Sequence, residues 1–355
     1  MGKLAVYKFG AMMILVVQVI LAVFTIVALF GGNVTPVGNT ARAMLVYALP
    51  VLILANVVIA FYWLIRRKWF YLLIPIIVVA CCLPYIGTLW QPLRSLDIKA
   101  ADAQQGLKIA TYNVCMFNRE TSGFIAQDVL AEMKRQKVDV LCIQEYNEVS
   151  GDKVNADSYK EYFPYMVMGR SDMVIFSRFP IKGNKTFTFE DTNQSAMWAD
   201  IDFKGNMLRV FNVHLETTGI NRTKHQADKY QAKGMDIANN RLMQAFFGNY
   251  VMGMMFRSGQ AIEISNEKIK SDKPVILCGD FNDVPYSYVY NTMLGNMVDG
   301  FKECGAGFMR TFREPKKPVR IDYIFHDEAL KGLTYYKTDM TYSDHFPVFM
   351  KVTFN

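Results

Sequence analysis

The chain has 355 residues, of which 52% are hydrophobic, so it is longer than one average domain and more apolar than most soluble proteins. Its formal net charge of +7 is carried entirely by residues 1–100, which contain eight Lys or Arg and one Asp. Residues 101–355 are therefore neutral, which counts against a domain that binds duplex DNA through many phosphates, because such domains are usually basic.

Three uncharged apolar runs near the amino terminus, residues 9–41, 43–65 and 69–93, can each supply the ~20 residues that cross a bilayer. Trp63 and Trp90 lie near the ends of these runs, as interfacial aromatic residues do. The first run could instead be a cleaved signal peptide, but its apolar core is too long and two further runs follow. The predicted transmembrane helices cover about residues 9–31, 44–65 and 69–91.

Positive charges that flank these helices predict which side of the membrane each terminus faces. Five lie on one side of a three-helix anchor and three on the other: Lys3, Lys8, Arg66, Arg67 and Lys68 against Arg42, Arg94 and Lys99. Because cytoplasmic segments carry the excess of Lys and Arg, the amino terminus is predicted inside the cell and the carboxyl-terminal domain outside the cytoplasmic (inner) membrane.

Hydrophobicity falls abruptly over residues 94–106, which we interpret as a linker between an anchor, residues 1–93, and a second domain, residues 107–355. The second domain alternates short apolar strands with a few helices, which suggests an α/β fold of two sheets packed face to face with helices outside. The predicted strands are residues 107–114, 138–143, 173–177, 197–203, 207–214, 275–278, 320–325 and 346–354, and the predicted helices cover 124–137 and most of 223–270.

The strand at residues 275–278 stops at a Gly, and the polar side chains of Asp280, Asn282 and Asp283 follow at once. A buried strand that ends in carboxylate and amide groups can hold them rigidly in a cleft. Asp280 and Asn282 are two residues apart, so they point the same way in extended backbone. Gly-Asp-x-Asn-Asp is also ordinary turn composition, so this stretch alone leaves both a site and a turn open.

Other predicted strands end in polar residues of the same kinds. With the stretch above, they form the set Asn113, Glu145, His214, Asp280, Asn282, Asp322, Asp344 and His345. These carboxylate, amide and imidazole groups, with no cysteine among them, suit Mg²⁺ or Mn²⁺ rather than zinc. Hydrolysis of a phosphate ester needs such a set, because it requires a metal for the phosphoryl oxygens, a base for water and donors for the developing charge.

Each of these residues also has an ordinary structural interpretation. Glu145 could be a surface acid at a strand end, and His214 could be a histidine of the core. Asp322 could simply pair with Arg320, and Asp344-His345 could form a turn before Pro347. The occurrence of the whole set in one chain favours the catalytic interpretation. No motif includes His225 or His326. Arg178 could contact the phosphate, but we interpret it as an arginine at a sheet edge.

In these motifs and their order, the chain from Leu107 to its end resembles the endonuclease/exonuclease/phosphatase family, which includes DNase I-like nucleases, bacterial sphingomyelinases and inositol-polyphosphate phosphatases. The resemblance implies a four-layered α/β sandwich, two packed mixed β-sheets with outer helices, and an active site at one edge of the paired sheets. The metal ligands that it implies are Asn113, Glu145 and Asp344, with Glu145 as the main one.

The resemblance also implies a role for each remaining residue of the set. Asp280 would orient or deprotonate the attacking water, and Asn282 would hold the phosphate. His214 and His345 would flank the phosphate, with Asp322 hydrogen-bonded to His345. In having both histidines, the chain resembles the sphingomyelinase and DNase I-like branches of the family.

Residues 237–256 mix Met and aromatic side chains at helical spacing. Most stripes of this kind pack on their own domain, which is the first interpretation. The alternative is a lid or a membrane-facing lobe near the cleft, which an enzyme that handles lipids would use.

Taken together, the sequence predicts a membrane-anchored phosphoesterase that depends on Mg²⁺ (or Mn²⁺) and whose partners are the lipid bilayer and a phosphorylated substrate. A phospholipid or isoprenoid phosphate head group is the leading substrate class, because an anchor raises the local concentration of a lipid substrate. A nuclease or phosphodiesterase that acts on extracellular nucleic acid is the second hypothesis, and a non-catalytic membrane interaction protein is the third. The sequence gives no sign of an obligate protein partner.

Overall fold

The computed structural model describes residues 3–93, 106–115, 126–146, 160–170, 173–190, 192–219, 239–314 and 318–355. The chain forms two compact units, Met1–Thr88 with Val284–Asn291 and Leu89–Asp283 with Thr292–Asn355. The first unit contains the apolar helices, and the second contains both large β-sheets. The predicted linker lies almost entirely outside the described residues, so the predicted domain boundaries stay predictions.

Apolar helices make up most of the first unit. The helices are α1 (Lys3–Leu29), α2 (Thr40–Met44), α3 (Leu49–Ile65), α4 (Trp69–Cys81) and α5 (Leu83–Leu89). Two stretches, Lys8–Asn33 and Thr40–Ile65, are each 26 residues long and apolar enough to cross a membrane. Helices α4 and α5 are bent by 49° and make a third span only when taken together. Two or three spans agree with the predicted number and suggest membrane association.

The bend between α4 and α5 has a cause in the sequence. Pro84 stands in the first turn of α5 and has no backbone N–H to donate to the preceding turn. Helix α4 therefore ends at Cys81, and the N–H of Cys82 donates to the carbonyls of Val78 and Val79 at 3.2 and 3.0 Å. A continuous apolar run in the sequence does not reveal this break, because proline is itself uncharged.

Buried side-chain hydrogen bonds join the helices of the first unit. Trp63 Nε1 on α3 donates to Gln18 Oε1 on α1, and Gln18 Nε2 donates to the carbonyl of Tyr71 on α4 at 2.7 Å. Asn56 Nδ2 donates to Thr25 Oγ1 at 2.9 Å. In apolar surroundings such bonds satisfy groups that water cannot reach, and they fix how one helix packs against the next.

The segment Val284–Asn291 completes the first unit. The ring of Tyr286 packs edge-on against the ring of Tyr85, with 5.5 Å between centroids. Gly32 permits a close backbone approach, since a Cβ at this position would lie only 1.8 Å from the carbonyl oxygen of Tyr286. Any larger residue at position 32 would displace this segment.

Two six-stranded mixed sheets form the centre of the second unit. The strands of the described residues are β1 (Trp90–Gln91), β2 (Leu107–Asn113), β3 (Val140–Gln144), β4 (Tyr165–Met168), β5 (Val174–Ser177), β6 (Ile181–Thr188), β7 (Ser195–Phe203), β8 (Asn206–His214), β9 (Val275–Asp280), β10 (Val298–Asp299), β11 (Gly307–Phe308), β12 (Asp322–His326), β13 (Leu330–Lys337) and β14 (Val348–Phe354). One sheet has the order β10-β12-β9-β8-β7-β6, and the other has the order β13-β14-β2-β3-β5-β4. Strands β1 and β11 form a separate antiparallel pair.

The hydrophobic core lies between these two sheets. Its buried residues come from both inner faces, for example Ile109, Val140, Val210, Cys278 and Ile324. The remaining helices of the described residues are α6 (Ala126–Arg135), α7 (Asn239–Ile269), α8 (Tyr288–Leu294) and α9 (Gly300–Cys304). Helix α6 covers the outer face of one sheet. Glu267 on α7 accepts a hydrogen bond from Lys185, on strand β6 of the other sheet, at 3.0 Å. This arrangement of sheets and helices confirms the predicted α/β sandwich.

Six described strands are missing from the sequence prediction: the short pair β1 and β11, and four strands that share one property. Strands β4, β6, β10 and β13 each lie at an edge of a six-stranded sheet. An edge strand is paired on one side only and carries more polar or exposed residues, as the partly exposed β6 does, so its hydrophobic pattern is weak. The predicted strand at 320–325 begins two residues later, at Asp322, and the predicted helix at 124–137 is described over Ala126–Arg135.

His326, to which the sequence assigns no role, forms a buried ion pair that fixes α9 on β12. Its Nε2 lies 2.7 Å from Glu303 Oε2, which also accepts from the N–H of Gly332 at 2.9 Å. Burial opposes protonation of His326, but Glu303 and the carbonyl of Asp327 outweigh burial and raise its pKa above the ordinary 6.5. A raised folded-state pKa contributes stability that is complete below the unfolded pKa and is lost as pH rises through the folded pKa.

We therefore expect Glu303→Gln to destabilise the protein more at low pH than at high pH. Thermal unfolding should show a midpoint about 2–4 °C below wild type at about pH 5.5, which corresponds to about 1 kcal/mol for a domain of this size. The difference should shrink well above the folded pKa of His326, because the wild-type imidazole is then neutral. Glu328→Gln, at an exposed carboxylate, is the control and should show no such pH dependence. Equal destabilisation at both pH values would contradict the assignment.

Candidate active site

Neighbouring strands bring the predicted site residues to one edge of the paired sheets. In one sheet His214 on β8 is paired with Asp280 on the parallel strand β9, and Asp280 is paired with Asp322 on β12. In the other sheet Asn113 ends β2, and Glu145 follows the neighbouring parallel strand β3. Parallel strands end at the same edge, so residues that are far apart in the sequence meet there.

Gly279 allows β8 and β9 to approach closely just before Asp280. Its φ is +139°, and a Cβ at this position would lie 1.9 Å from the carbonyl oxygen of Val213. Only glycine fits here without a shift of the backbone. The Gly-Asp pair at the strand end therefore has a packing reason as well as a chemical one.

Asn113 links the two sheets at the site. Its Nδ2 donates to Glu145 Oε1 at 3.1 Å and to Asp280 Oδ2 at 3.0 Å. Its Oδ1 accepts from the N–H of Cys115 at 3.0 Å. One amide thus holds a predicted metal ligand and the predicted water-activating carboxylate within reach of each other.

His345 and Asp322 form a buried pair beside Asp280. His345 Nδ1 lies 3.0 and 3.2 Å from the two carboxylate oxygens of Asp322, and His345 Nε2 lies 3.6 Å from Asp280 Oδ2. Burial opposes protonation of His345, but the charges of Asp322 and Asp280 outweigh burial and raise the pKa of the imidazole to about 10. His345 is therefore a cation at neutral pH, and its Nε2 proton faces Asp280.

Asp280 is almost completely buried, and burial raises the pKa of its carboxyl group to about 6 against the opposing charge of His345. Its Oδ1 accepts from the N–H of Asn282 at 2.8 Å. Asn282 adopts a positive φ of +51°, and its Nδ2 donates to the carbonyl of Leu215 at 2.9 Å. The turn after β9 therefore places the Asn282 side chain across the loop that follows β8.

The Nε2 nitrogen of His214 lies near two carboxylates of the site. This nitrogen is buried and makes no hydrogen bond to the described residues, while it lies 3.7 Å from Glu145 Oε1 and 4.0 Å from Asp280 Oδ2. Burial lowers the pKa of this imidazole, so it is neutral. A buried nitrogen that the protein leaves unsatisfied is suited to a ligand or a water in the space between these carboxylates.

The oxygen donors present fit a divalent cation. Burial raises the pKa of Glu145 against the hydrogen bond from Asn113 and the positive charge of His345, and the nearby carboxylate of Asp344 adds a smaller repulsion. The compact cluster in which ligand atoms lie within 4.8 Å of one another consists of Asp280, Asp322 and His345. Asp322 is engaged by His345, and Asn113, Glu145 and Asp344 stay the predicted oxygen ligands for Mg²⁺ or Mn²⁺.

Supporting residues that the sequence did not reveal hold the predicted ones. Ser343 Oγ donates to the carbonyl of Asn113 at 2.7 Å and accepts from the N–H of His345 at 3.1 Å. Gln144 Nε2 donates to Asn212 Oδ1 at 2.6 Å, which joins β3 to β8 between the sheets. Ser-Asp-His in the sequence could have suggested Ser343, since a serine beside a turn often bonds to backbone.

Helix α7 clamps the two loops of the site. Arg257, fully buried, donates to Asp283 Oδ2 at 3.3 Å and to the carbonyl of Glu216 at 3.1 Å. Gln260 Oε1 accepts from the N–H of Glu216 at 2.8 Å. Asp283 directly follows Asn282, and Glu216 directly follows Leu215. The helix therefore holds both residues of the hydrogen bond from Asn282 Nδ2 to the carbonyl of Leu215 in place.

Two alternative interpretations can be compared with the structure. Arg320 pairs with Asp299, at 2.6 and 2.8 Å, rather than with Asp322. Arg178 pairs with Asp139 at 2.8 Å and lies away from the set above. His225 lies outside the described residues.

The Met- and aromatic-rich segment divides into two parts within α7. In the second part Met254 is buried, and Met255 and Phe256 are half-buried. In the first part Met243 is 70% and Phe247 is 56% exposed. Packing on the same domain therefore accounts for the second part only, and residues 237–238 lie outside the described residues.

Comparison with known proteins places this geometry in a family. The model of the endonuclease/exonuclease/phosphatase family matches residues 110–345, and a model for a domain of unknown function matches residues 11–89. Sphingomyelinase C of Leptospira interrogans is 22% identical over 326 residues, with 73% of this chain and 54% of that protein covered. The chain thus spans about half the length of this relative.

Solved structures agree on the fold. Endonuclease/exonuclease/phosphatase proteins from Beutenbergia cavernae and Bacteroides vulgatus each have a TM-score of 0.51 and 17% identity to this chain. The matches cover 71% and 70% of this chain and 72% and 99% of those chains, respectively. At this level of identity the similarity establishes the shared fold.

Proposed function

We propose that this chain, which belongs to the endonuclease/exonuclease/phosphatase family, is a hydrolase of phosphate ester bonds: a membrane-anchored, Mg²⁺-dependent phosphoesterase that acts on a lipid or envelope-linked phosphate. One observation carries the proposal: Asn113 holds Glu145 and Asp280 together, and the buried Nε2 of His214 points between these carboxylates without a partner among the described residues. This geometry suits a phosphate and a cation that complete the site.

Each side chain has a task in this proposal. Glu145, Asp344 and Asn113 would hold a divalent cation, which would supply positive charge for the phosphoryl oxygens. Asp280 accepts a proton from the water whose oxygen attacks phosphorus, because its carboxylate is buried and not fixed by a lysine or arginine among the described residues. Asn282 orients the phosphate.

The two histidines have different tasks because their charges differ. His345 keeps its Nε2 proton for the phosphoryl oxygens or the departing oxygen, since Asp322 keeps the imidazole positive. His214 is neutral and offers a hydrogen bond to an equatorial phosphoryl oxygen. Together they would stabilise the charge that develops as the bond from phosphorus to the leaving oxygen breaks.

Three observations favour a lipid phosphate over nucleic acid. The apolar helices would hold the site beside a bilayer and raise the local concentration of a lipid substrate. Residues 101–355 carry no surplus of positive charge for a nucleic-acid backbone. A curated relative is a sphingomyelinase C. We place the catalytic domain outside the inner membrane, as the five-to-three balance of flanking positive charges favours.

A substrate panel separates the candidate functions. The full-length protein in detergent micelles, with Mg²⁺ or with EDTA, is offered sphingomyelin, a polyprenyl diphosphate, plasmid DNA and RNA. We expect metal-dependent release of phosphate or phosphorylated head group from a lipid and no nicking of plasmid. Nicked plasmid with untouched lipid would establish the nuclease instead, and no turnover of any substrate would support a non-catalytic membrane protein. A carboxyl-terminal phosphatase fusion that is active only in the cytoplasm would reverse the orientation.

A further inference from the structure

Three cationic side chains surround one aromatic ring next to the candidate active site. Arg313 Cζ lies 3.9 Å, Lys337 Nζ 4.0 Å and Arg310 Cζ 5.7 Å from the centroid of the Phe346 ring. We call Arg310, Arg313 and Lys337 the basic cluster. Phe346 itself is buried and directly follows His345.

Neutral carbonyl groups hold Arg313 and Lys337 of the basic cluster in place. Arg313 Nε donates to the carbonyl of Ser343 at 2.9 Å and Arg313 Nη2 donates to the carbonyl of Met340. Lys337 Nζ donates to the carbonyl of Arg310 at 2.7 Å. Bonds of this kind fix the position of a cation without cancelling its charge.

The positive charge of the basic cluster is poorly compensated. Asp339 pairs with Arg313 at 2.6 Å, but the carboxylate is 77% exposed, and solvent screens such a pair strongly. Among the described residues the guanidinium of Arg310 makes no hydrogen bond or ion pair. Burial first, and then repulsion from Arg310 and Arg313, lowers the pKa of Lys337 to about 8.

The backbone places the basic cluster alongside a predicted metal ligand. The N–H of Arg313 donates to the carbonyl of Asp344 at 2.7 Å, and the N–H of Phe346 donates to the carbonyl of Thr311 at 2.7 Å. These two bonds flank an antiparallel bridge between Phe312 and His345. Side chains alternate across such a ladder, so Arg313 lies opposite Asp344 and on the same face as Phe346.

One cation is enough to hold the loop that carries His345, and Arg313 does so through its bond to the carbonyl of Ser343. Two further cations with little counter-charge are costly to hold together unless an anion joins them. We propose that the basic cluster binds a second anionic group of the substrate, a phosphate or diphosphate beyond the one that is hydrolysed. This inference rests on the proposed function, and it narrows the substrate to a molecule with at least two anionic groups.

Binding of inorganic pyrophosphate tests the basic cluster without turnover. Isothermal titration of the detergent-solubilised full chain in EDTA should show that Arg310→Gln weakens pyrophosphate binding about fivefold, because one charge-assisted contact to a phosphate is lost. Arg310→Lys should recover part of the affinity. Lys331→Gln, an equal change of charge at an exposed position on β13, is the control and should stay within about twofold of wild type. Equal affinity of wild type and Arg310→Gln would overturn the inference.

Kinetics then distinguish a lipid head group from a free anion. Arg310→Gln should raise KM for farnesyl diphosphate about fivefold with kcat unchanged, and it should leave KM for farnesyl monophosphate unchanged. An effect on pyrophosphate binding alone would assign the free anion as the ligand, and equal effects on both esters would overturn the site. If neither ester is hydrolysed but Arg310→Gln still weakens pyrophosphate binding, the proposed function fails while the anion site stands.

Discussion

Asp280→Asn should lower kcat of the full-length enzyme by about a thousandfold, because the amide cannot accept the proton of the attacking water. The carboxyl group is 1% exposed and lies 3.6 Å from the protonated His345, so no neighbouring base replaces it readily. Loss of a group that acts in the transition state should reduce kcat and kcat/KM together. Steady-state hydrolysis of whichever ester the substrate panel identifies is the measurement.

A separate measurement must show that the Asp280→Asn variant still folds. Asn is close in volume to Asp and can still accept from the N–H of Asn282, but it cannot also accept from Asn113 Nδ2, so the variant should stay folded with a stability loss of about 1–3 kcal/mol. Asp202→Asn, the same substitution on β7 away from the site, is the matched control and should keep wild-type kcat. An Asp280→Asn variant with activity within tenfold of wild type would exclude Asp280 as the base.

Arg257→Met should destabilise the protein by about 3–5 kcal/mol, because it leaves the buried carboxylate of Asp283 without its cation. For a unit of this size that loss corresponds to a fall of roughly 6–20 °C in the thermal midpoint. The folded fraction should also lose activity, because the carbonyl of Glu216 is released and the Asn282 loop with it. Thermal unfolding and kinetics on one preparation measure both effects.

A double-mutant cycle separates the ion pair from simple loss of packing. Arg257→Met combined with Asp283→Asn should recover part of the stability, because the uncompensated charge is removed. Arg257→Lys should retain charge and recover less of kcat than of stability, since an ammonium group cannot replace the two directed bonds of the guanidinium. Additive losses in the double variant would show that Arg257 and Asp283 act independently.

The sequence predicts the central strands of the fold well and the edges poorly. Strands such as β3 and β9 are continuous runs of apolar residues because both faces are buried. Edge strands lack this constraint, and β6 alternates exposed lysine and asparagine with half-buried residues. The hydrophobic pattern that predicts a strand from sequence is therefore strongest for strands that have neighbours on both sides.

The candidate site divides in the same way. Residues such as Glu145 and Asp280 stand out because a charged group ends an apolar run, and the resemblance to a family assigns them expected roles. Arg257 and Gln260 lie in a helix with many polar neighbours, and nothing in their local sequence indicates that they reach the backbone of Glu216. Long-range supports of this kind depend on how helix and sheet pack, which a single sequence does not encode locally.

The pairing of β1 with β11 affects where a fragment without the membrane helices should begin. Trp90 and Gln91 pair with Phe308 and Gly307, and the N–H of Met309 donates to the carbonyl of Leu89 at 2.9 Å. A fragment that starts at residue 107, where the family resemblance begins, would leave this backbone ladder unfinished and an open edge free to aggregate. A fragment designed to be soluble without the membrane helices should therefore begin upstream of Leu89.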